Sequence, residues 1–228
     1  MGDHHHGGHG RGHGGHPHGH GHGHGHHGHD GEGGHRDRHG NPAHWDQYLG
    51  KLLDPERDAW QKPDLVVAAL GLGPGAVACE IGPGPGVFVL RMARAVAPGG
   101  RVHAIDADPR MTALLAERAR EAGLANVAIH LAEDGRGVPP EPVDVILVVN
   151  TFHHFPEPAT YLRELAALLR PGGRLVNVDF HAGDLPVGPP PDHRVSREQF
   201  LEAARAAGLR VLEERAFLPY QYFIALGP

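Results

Sequence analysis

The residues best equipped for chemistry fall in a few short stretches. "EIGPGPG" places one carboxylate, Glu80, and three glycines, Gly82, Gly84 and Gly86, between an apolar run and a segment of helical spacing. A strand that enters a glycine-rich turn and leaves as a helix lets a ligand approach the backbone closely, and open α/β sheets build nucleotide sites this way. Asp106 ends the next apolar run, where a carboxylate can accept hydrogen bonds from both hydroxyls of a ribose. His153, His154 and His181 follow later apolar runs, and imidazole has the pKa of a general base at neutral pH. Finally, "HGHGHGHGHHGH", residues 18–29, sets His18, His20, His22, His24 and His26 at alternate positions. Neutral imidazoles on a flexible chain suit Ni, Cu or Zn.

The glycine spacing bears on which nucleotide is held. The dinucleotide fingerprint GxGxxG needs a third glycine at position 87, which is Val87. Pro83 and Pro85 have no N–H to offer a pyrophosphate. A phosphate-binding P-loop is excluded, because no Gly-Lys-Ser/Thr follows. An NAD(P)-dependent oxidoreductase is a poorer reading still, since no Tyr/Lys or His constellation for hydride transfer is apparent.

The elements that must position these residues alternate along the chain. Residues 1–40 hold 15 of the 22 histidines and no aliphatic residue, so they cannot bury apolar surface and are expected to be a disordered His/Gly-rich tail. Residues 41–228 suit one domain. The tail carries about −1 of the formal charge of −6, which gives no reason to expect nucleic acid or an anionic membrane as a partner. A single cysteine, Cys79, rules out an internal disulfide. No apolar stretch approaches the ~20 residues of a membrane span, nor is there a secretory core segment, so the cytoplasm is expected.

Helices are expected over Asp54–Leu72, broken at Pro63, and over Gly86–Ala97. Others follow Asp108 as N-cap, span Pro158–Leu169, and span Ser196–Ala207. Strands are expected at Ala76–Ile81, "RVHAI" to Asp106, "NVAIHLA", "VDVILVVN", "RLVNVDF" after the turn "RPGG", and in two closing runs. This alternation implies an α/β fold with a doubly wound, mostly parallel sheet.

With these motifs in order, residues 44–228 resemble the class I S-adenosylmethionine-dependent methyltransferases. "EIGPGPG" is similar to their first motif, "HAIDADP" to the second, and "LAEDGRGVP" to the third. "VDVILVVNTFHHF" and "LLRPGGRLVNVDF" are similar to the fourth and to the turn into the fifth strand. The resemblance implies a Rossmann-like methyltransferase fold of seven strands with the last one reversed. It implies S-adenosylmethionine as cofactor, with Glu80 at its amino-acid portion and Gly82, Gly84 and Gly86 against its adenosine and methionine portions. Asp106 would meet the ribose, Asp134 the adenine amino group and Asn150 the methionine side. His153 and His154 would face the transfer path.

"NTFH" departs from the Asn/Asp-Pro-Pro-Tyr used on planar nitrogens, and one cysteine is too few for arsenite chemistry. No basic patch with interleaved aromatics speaks for RNA. A small-molecule acceptor is therefore expected, with "DLPVGPPPDHRV" covering it. Trp45 and Tyr48 either cover the cofactor or anchor the first helix. The alternative is a metal-buffering or delivery protein, with Ni or Zn on the tail, carried on a methyltransferase-like fold.

Overall fold

The run Val143–Val149 forms β4, in which every residue but Asp144 is buried, as a strand covered on both faces requires. The computed structural model describes residues 44–132 and 134–228. In it β4 pairs in parallel with β1 (Val77–Ile81) on one side and β5 (Leu169–Phe180) on the other. Beyond β1 lie β2 (Arg101–Asp106) and β3 (Val127–Leu131), also parallel. Beyond β5, β7 (Gln221–Gly227) runs antiparallel and carries β6 (Arg210–Arg215) at the edge. The order β3-β2-β1-β4-β5-β7-β6 is the expected doubly wound sheet with its last strand reversed.

Helices cover both faces because strand side chains alternate. Ala78 of β1 packs with Val66 and Val67 of α3 (Pro63–Ala69), Met92 of α4 (Val89–Ala95) and Leu115 of α5 (Pro109–Glu121). Val77, Cys79 and Ile81 face the other way. They pack with Leu162 and Leu165 of α6 (Pro158–Ala166) and Phe200 of α7 (Arg197–Ala206). At about 1.5–3 kcal/mol for each large apolar side chain removed from water, these two layers hold the sheet. Two short helices, α1 (Trp45–Leu52) and α2 (Arg57–Gln61), precede them.

Several boundaries differ from the expected ones, each for a local reason. The break before Pro63 is at Lys62, whose φ of 45° takes it out of the helical region that a residue before proline avoids. The helix expected from Gly86 begins only at Val89, because Gly86 has φ 83° and still belongs to the turn. The helix expected to reach Leu169 ends at Ala166, and Leu169 joins β5 opposite Val143. The ladder resumes at Arg174 opposite Val145, so "RPGG" is a bulge inside β5 rather than a turn ahead of it. Asp108 does cap α5, accepting the Arg110 N–H at 2.8 Å. Ser196 and Gln199 close a capping box on α7. Among the described residues, no helix is long and apolar enough to cross a membrane.

Candidate active site

Chain order reverses between β1 and β4, and ligands of such sheets bind outside the carboxyl ends of the strands at that point. There a cleft of about 120 Å³ opens to solvent. Gly82 and Gly84 follow β1, Asp106 ends β2, and Asn150 and Thr151 follow β4; all five line it.

Gly82 has φ 69°, and a Cβ there would overlap the Thr151 side chain. Its place is therefore set by both backbone conformation and close approach. Gly84 donates its N–H to Asp106 Oδ2 at 2.9 Å, while the Asp108 N–H donates to Oδ1 at 3.0 Å. Burial raises the Asp106 pKa, and the N–H groups of Asp108 and Gly84 oppose the rise. A carboxylate has about four lone-pair positions, and the Ala107 N–H also acts on it, so the carboxylate keeps acceptor capacity for a ligand hydroxyl. Tyr48 of α1 also lines the cleft; burial first, then the charge of Asp106, pushes its pKa up. Trp45 anchors that helix, with the Arg110 guanidinium 4.3 Å from its ring centroid.

Asn150 holds a left-handed φ of 52°, a strained conformation of the kind that gathers at ligand sites. Its N–H donates to the Val178 carbonyl at 2.9 Å, and its Oδ1 accepts from Gln221 Nε2 at 2.8 Å. With the oxygen engaged, the amide offers a ligand its N–H donors. His154 lines the cleft, and its ring centroid is 3.9 Å from that of His153.

Other expected residues stand away from the lining. Glu80 is buried and faces the α4 side. Burial, opposed by the Val89 N–H, raises its pKa to about 8, and its Oε2 has no partner among the described residues. Gly86 serves packing, because a Cβ there would overlap Leu115 of α5. Asp134 is exposed, while its neighbours Ala132 and Gly135 line the cleft. His153 and His181 are also outside the lining; His181 is exposed beyond β5, where its N–H bonds the Tyr220 carbonyl. The tail histidines His18, His20, His22, His24 and His26 lie outside the described residues. Among those described, no group of three or more His, Cys, Asp or Glu is placed to hold a metal.

Thr151, Phe155, Tyr161 and Gly137 complete the wall and were missed as site residues. Tyr161 donates its hydroxyl proton to the Gly137 carbonyl at 2.6 Å, which pins the loop after β3 to α6. In the sequence Tyr161 is one more apolar-face residue of a helix, with no local signal of a site.

Residues 79–177 match the family model described as a methyltransferase domain. Over 134 residues the chain is 35% identical to an uncharacterised protein of a Streptomyces fradiae transposon, covering 57% of this chain and 37% of that one. Over 102 residues it is 33% identical to a ubiquinone biosynthesis O-methyltransferase of Xylella fastidiosa, covering 44% and 40%. The chain thus spans about two fifths of the length of these relatives. Among solved structures, a SAM-dependent methyltransferase from Aquifex aeolicus superposes with a TM-score of 0.73 at 28% identity, covering 79% of this chain and 96% of that one. Seven strands in this order, a glycine turn over an acidic strand end, and these likenesses converge: the chain is similar to S-adenosylmethionine-dependent methyltransferases in its fold and, over residues 79–177, in its sequence.

Proposed function

We propose that the protein transfers a methyl group from S-adenosylmethionine to a hydroxyl of a small-molecule acceptor. The observation that carries this reading is Asp106, a half-buried carboxylate at the cleft that keeps acceptor capacity after the backbone N–H groups around it have donated. Its arrangement fits a ribose diol. The unpartnered Oε2 of Glu80 fits the same cofactor, since an ammonium group would satisfy it and favour its ionised form. Gly82 and Gly84 let the backbone come close, and Asn150 offers amide donors at the same edge. Asp134 is assigned to the adenine amino group through its place beside Gly135.

Bound here, S-adenosylmethionine supplies a methyl group already activated by a sulfonium centre. What the chain must add is orientation of the acceptor and a place for the hydroxyl proton. Of His153, His154 and His181, it is His154 that stands in the cleft wall, and we assign it contact with the acceptor hydroxyl. His153 lies against it as a support. The relatives named as O-methyltransferases support an oxygen acceptor. The test is to incubate the full chain with methyl-labelled S-adenosylmethionine and a panel of phenols, catechols and amines. Labelled methyl ethers and S-adenosylhomocysteine are expected; release of neither, with the cofactor bound, contradicts the reading.

A further inference from the structure

Asn177 and Asp179 are two residues apart on β5, so their side chains leave the same face. Tyr222 of β7 is directly across from Asp179. Asn177 and Asp179 are 0% and 1% exposed. Asp179 Oδ1 accepts the Phe180 N–H at 2.8 Å. Asn177 Nδ2 donates to the Tyr222 hydroxyl at 3.2 Å, which donates in turn to the Val195 carbonyl at 3.3 Å. Two oxygens are left over: Asp179 Oδ2 and Asn177 Oδ1 have no donor among the described residues. Buried acceptors without donors are rare and call for a specific cause.

Their place in the fold supplies one. Both lie at the carboxyl end of β5, the strand beside the cleft residue Asn150, whose N–H bonds the Val178 carbonyl. Burial, opposed by the Phe180 N–H, moves the Asp179 pKa up to about 7, with no contribution from a cationic side chain. Around it stand Tyr222, pushed up by burial and by Asp179, and Glu198 of α7, which acts on Tyr222. His181, further along the strand, has its ring centroid 6.0 Å from that of Tyr222, and its charge acts on Glu214 of β6.

We propose that Asp179 and Asn177 recognise a primary ammonium group carried by the methyl acceptor, an assignment that rests on the methyltransferase reading above. An ammonium has three donors and no acceptor, which complements two acceptor oxygens that share a strand face. The Tyr222 ring beside them offers a cation–π surface. A cation docked here favours ionised Asp179, so binding below neutral pH releases a proton. The segment between β5 and α7 reaches the Tyr222 hydroxyl through the Val195 carbonyl. Arg194 donates to the carbonyls of Gly183 and Pro189 within that segment and lies 5.8 Å from the Phe180 ring centroid. This segment must shift to admit the amine.

The experiment uses full-length protein saturated with S-adenosylhomocysteine, titrated with tyramine and with 4-ethylphenol, which is tyramine without its amine. Failure of S-adenosylhomocysteine to bind would count against the parent reading and is measured first. With it bound, tyramine is expected to bind about tenfold or more tightly than 4-ethylphenol at pH about 8. That preference should fade at pH about 5.5, where Asp179 is protonated, and should vanish in Asp179→Asn. Thermal melting of the variant confirms that it folds, and the wild-type pH dependence stands if it does not. Equal binding of the two probes, binding of neither, or a preference that survives in folded Asp179→Asn overturns the proposal.

Discussion

The N–H of Gly84, in the turn after β1, reaches Asp106 Oδ2 at the end of β2 across 2.9 Å. One carboxylate thus ties the glycine turn to the neighbouring strand and keeps acceptor capacity for a ligand. Replacing Asp106 by Ala removes both roles. S-adenosylhomocysteine affinity is expected to fall about 10- to 100-fold, the equivalent of ~1–3 kcal/mol for lost charged hydrogen bonds. Asp106→Asn should lose less, since its amide oxygen can still accept from Gly84. Calorimetric titration of both variants checks the order.

Gly82 is needed for its φ of 69° and for the room it leaves Thr151. Gly82→Ala should cost about 1–3 kcal/mol of stability and weaken cofactor binding. Adding Thr151→Gly removes the overlap but not the strain in φ, so a partial recovery of melting temperature is expected. No recovery in the double variant would mean that the overlap contributes nothing.

Glu80 has a folded pKa of about 8 against an ordinary value of 4.5. Between those values the native state keeps a proton that the unfolded chain has lost, so Glu80 makes stability fall as pH rises through that window. Glu80→Gln should flatten this part of the profile and stabilise the protein at pH about 9 by ~1–3 kcal/mol. Denaturant melts at several pH values measure it. Because the cofactor ammonium favours the ionised form, wild-type binding near pH 7 should also release a proton. Calorimetry in two buffers of different ionisation enthalpy reads that release, and Glu80→Gln should lose it.

His154 lines the cleft and His181 does not. Once a methylated acceptor is in hand, His154→Ala should lower turnover about 10²-fold, the ordinary scale of a lost proton-transfer group, with cofactor affinity unchanged. His181→Ala should stay within a few-fold of wild type. Equal effects from the two variants would remove His154 from its assigned contact.

Much of this was legible in the sequence because the physics is local. Pro109 after Asp108 announces α5, and the unbroken aliphatic run of β4 announces a strand buried on both faces. Gly82, Gly84 and Asp106 could be read as a site because a glycine turn and an acidic strand end have few other reasons to occur together. What stayed hidden depends on contacts between distant segments. "RPGG" reads as a turn, yet Leu169 ahead of it finds Val143 and makes the turn a bulge. Gly86 looks like its sister glycines, but its partner is Leu115. Tyr161 enters the wall because Gly137 comes to meet it. The unpartnered oxygens of Asn177 and Asp179 exist only once β7 and the segment before α7 have closed over β5.

Calorimetric titration of full-length protein with S-adenosylhomocysteine, with NADH as competitor, tests the central claim most directly. One site is expected, weakened in Asp106→Ala and indifferent to NADH. Absence of S-adenosylhomocysteine binding, or its displacement by NADH, would contradict it.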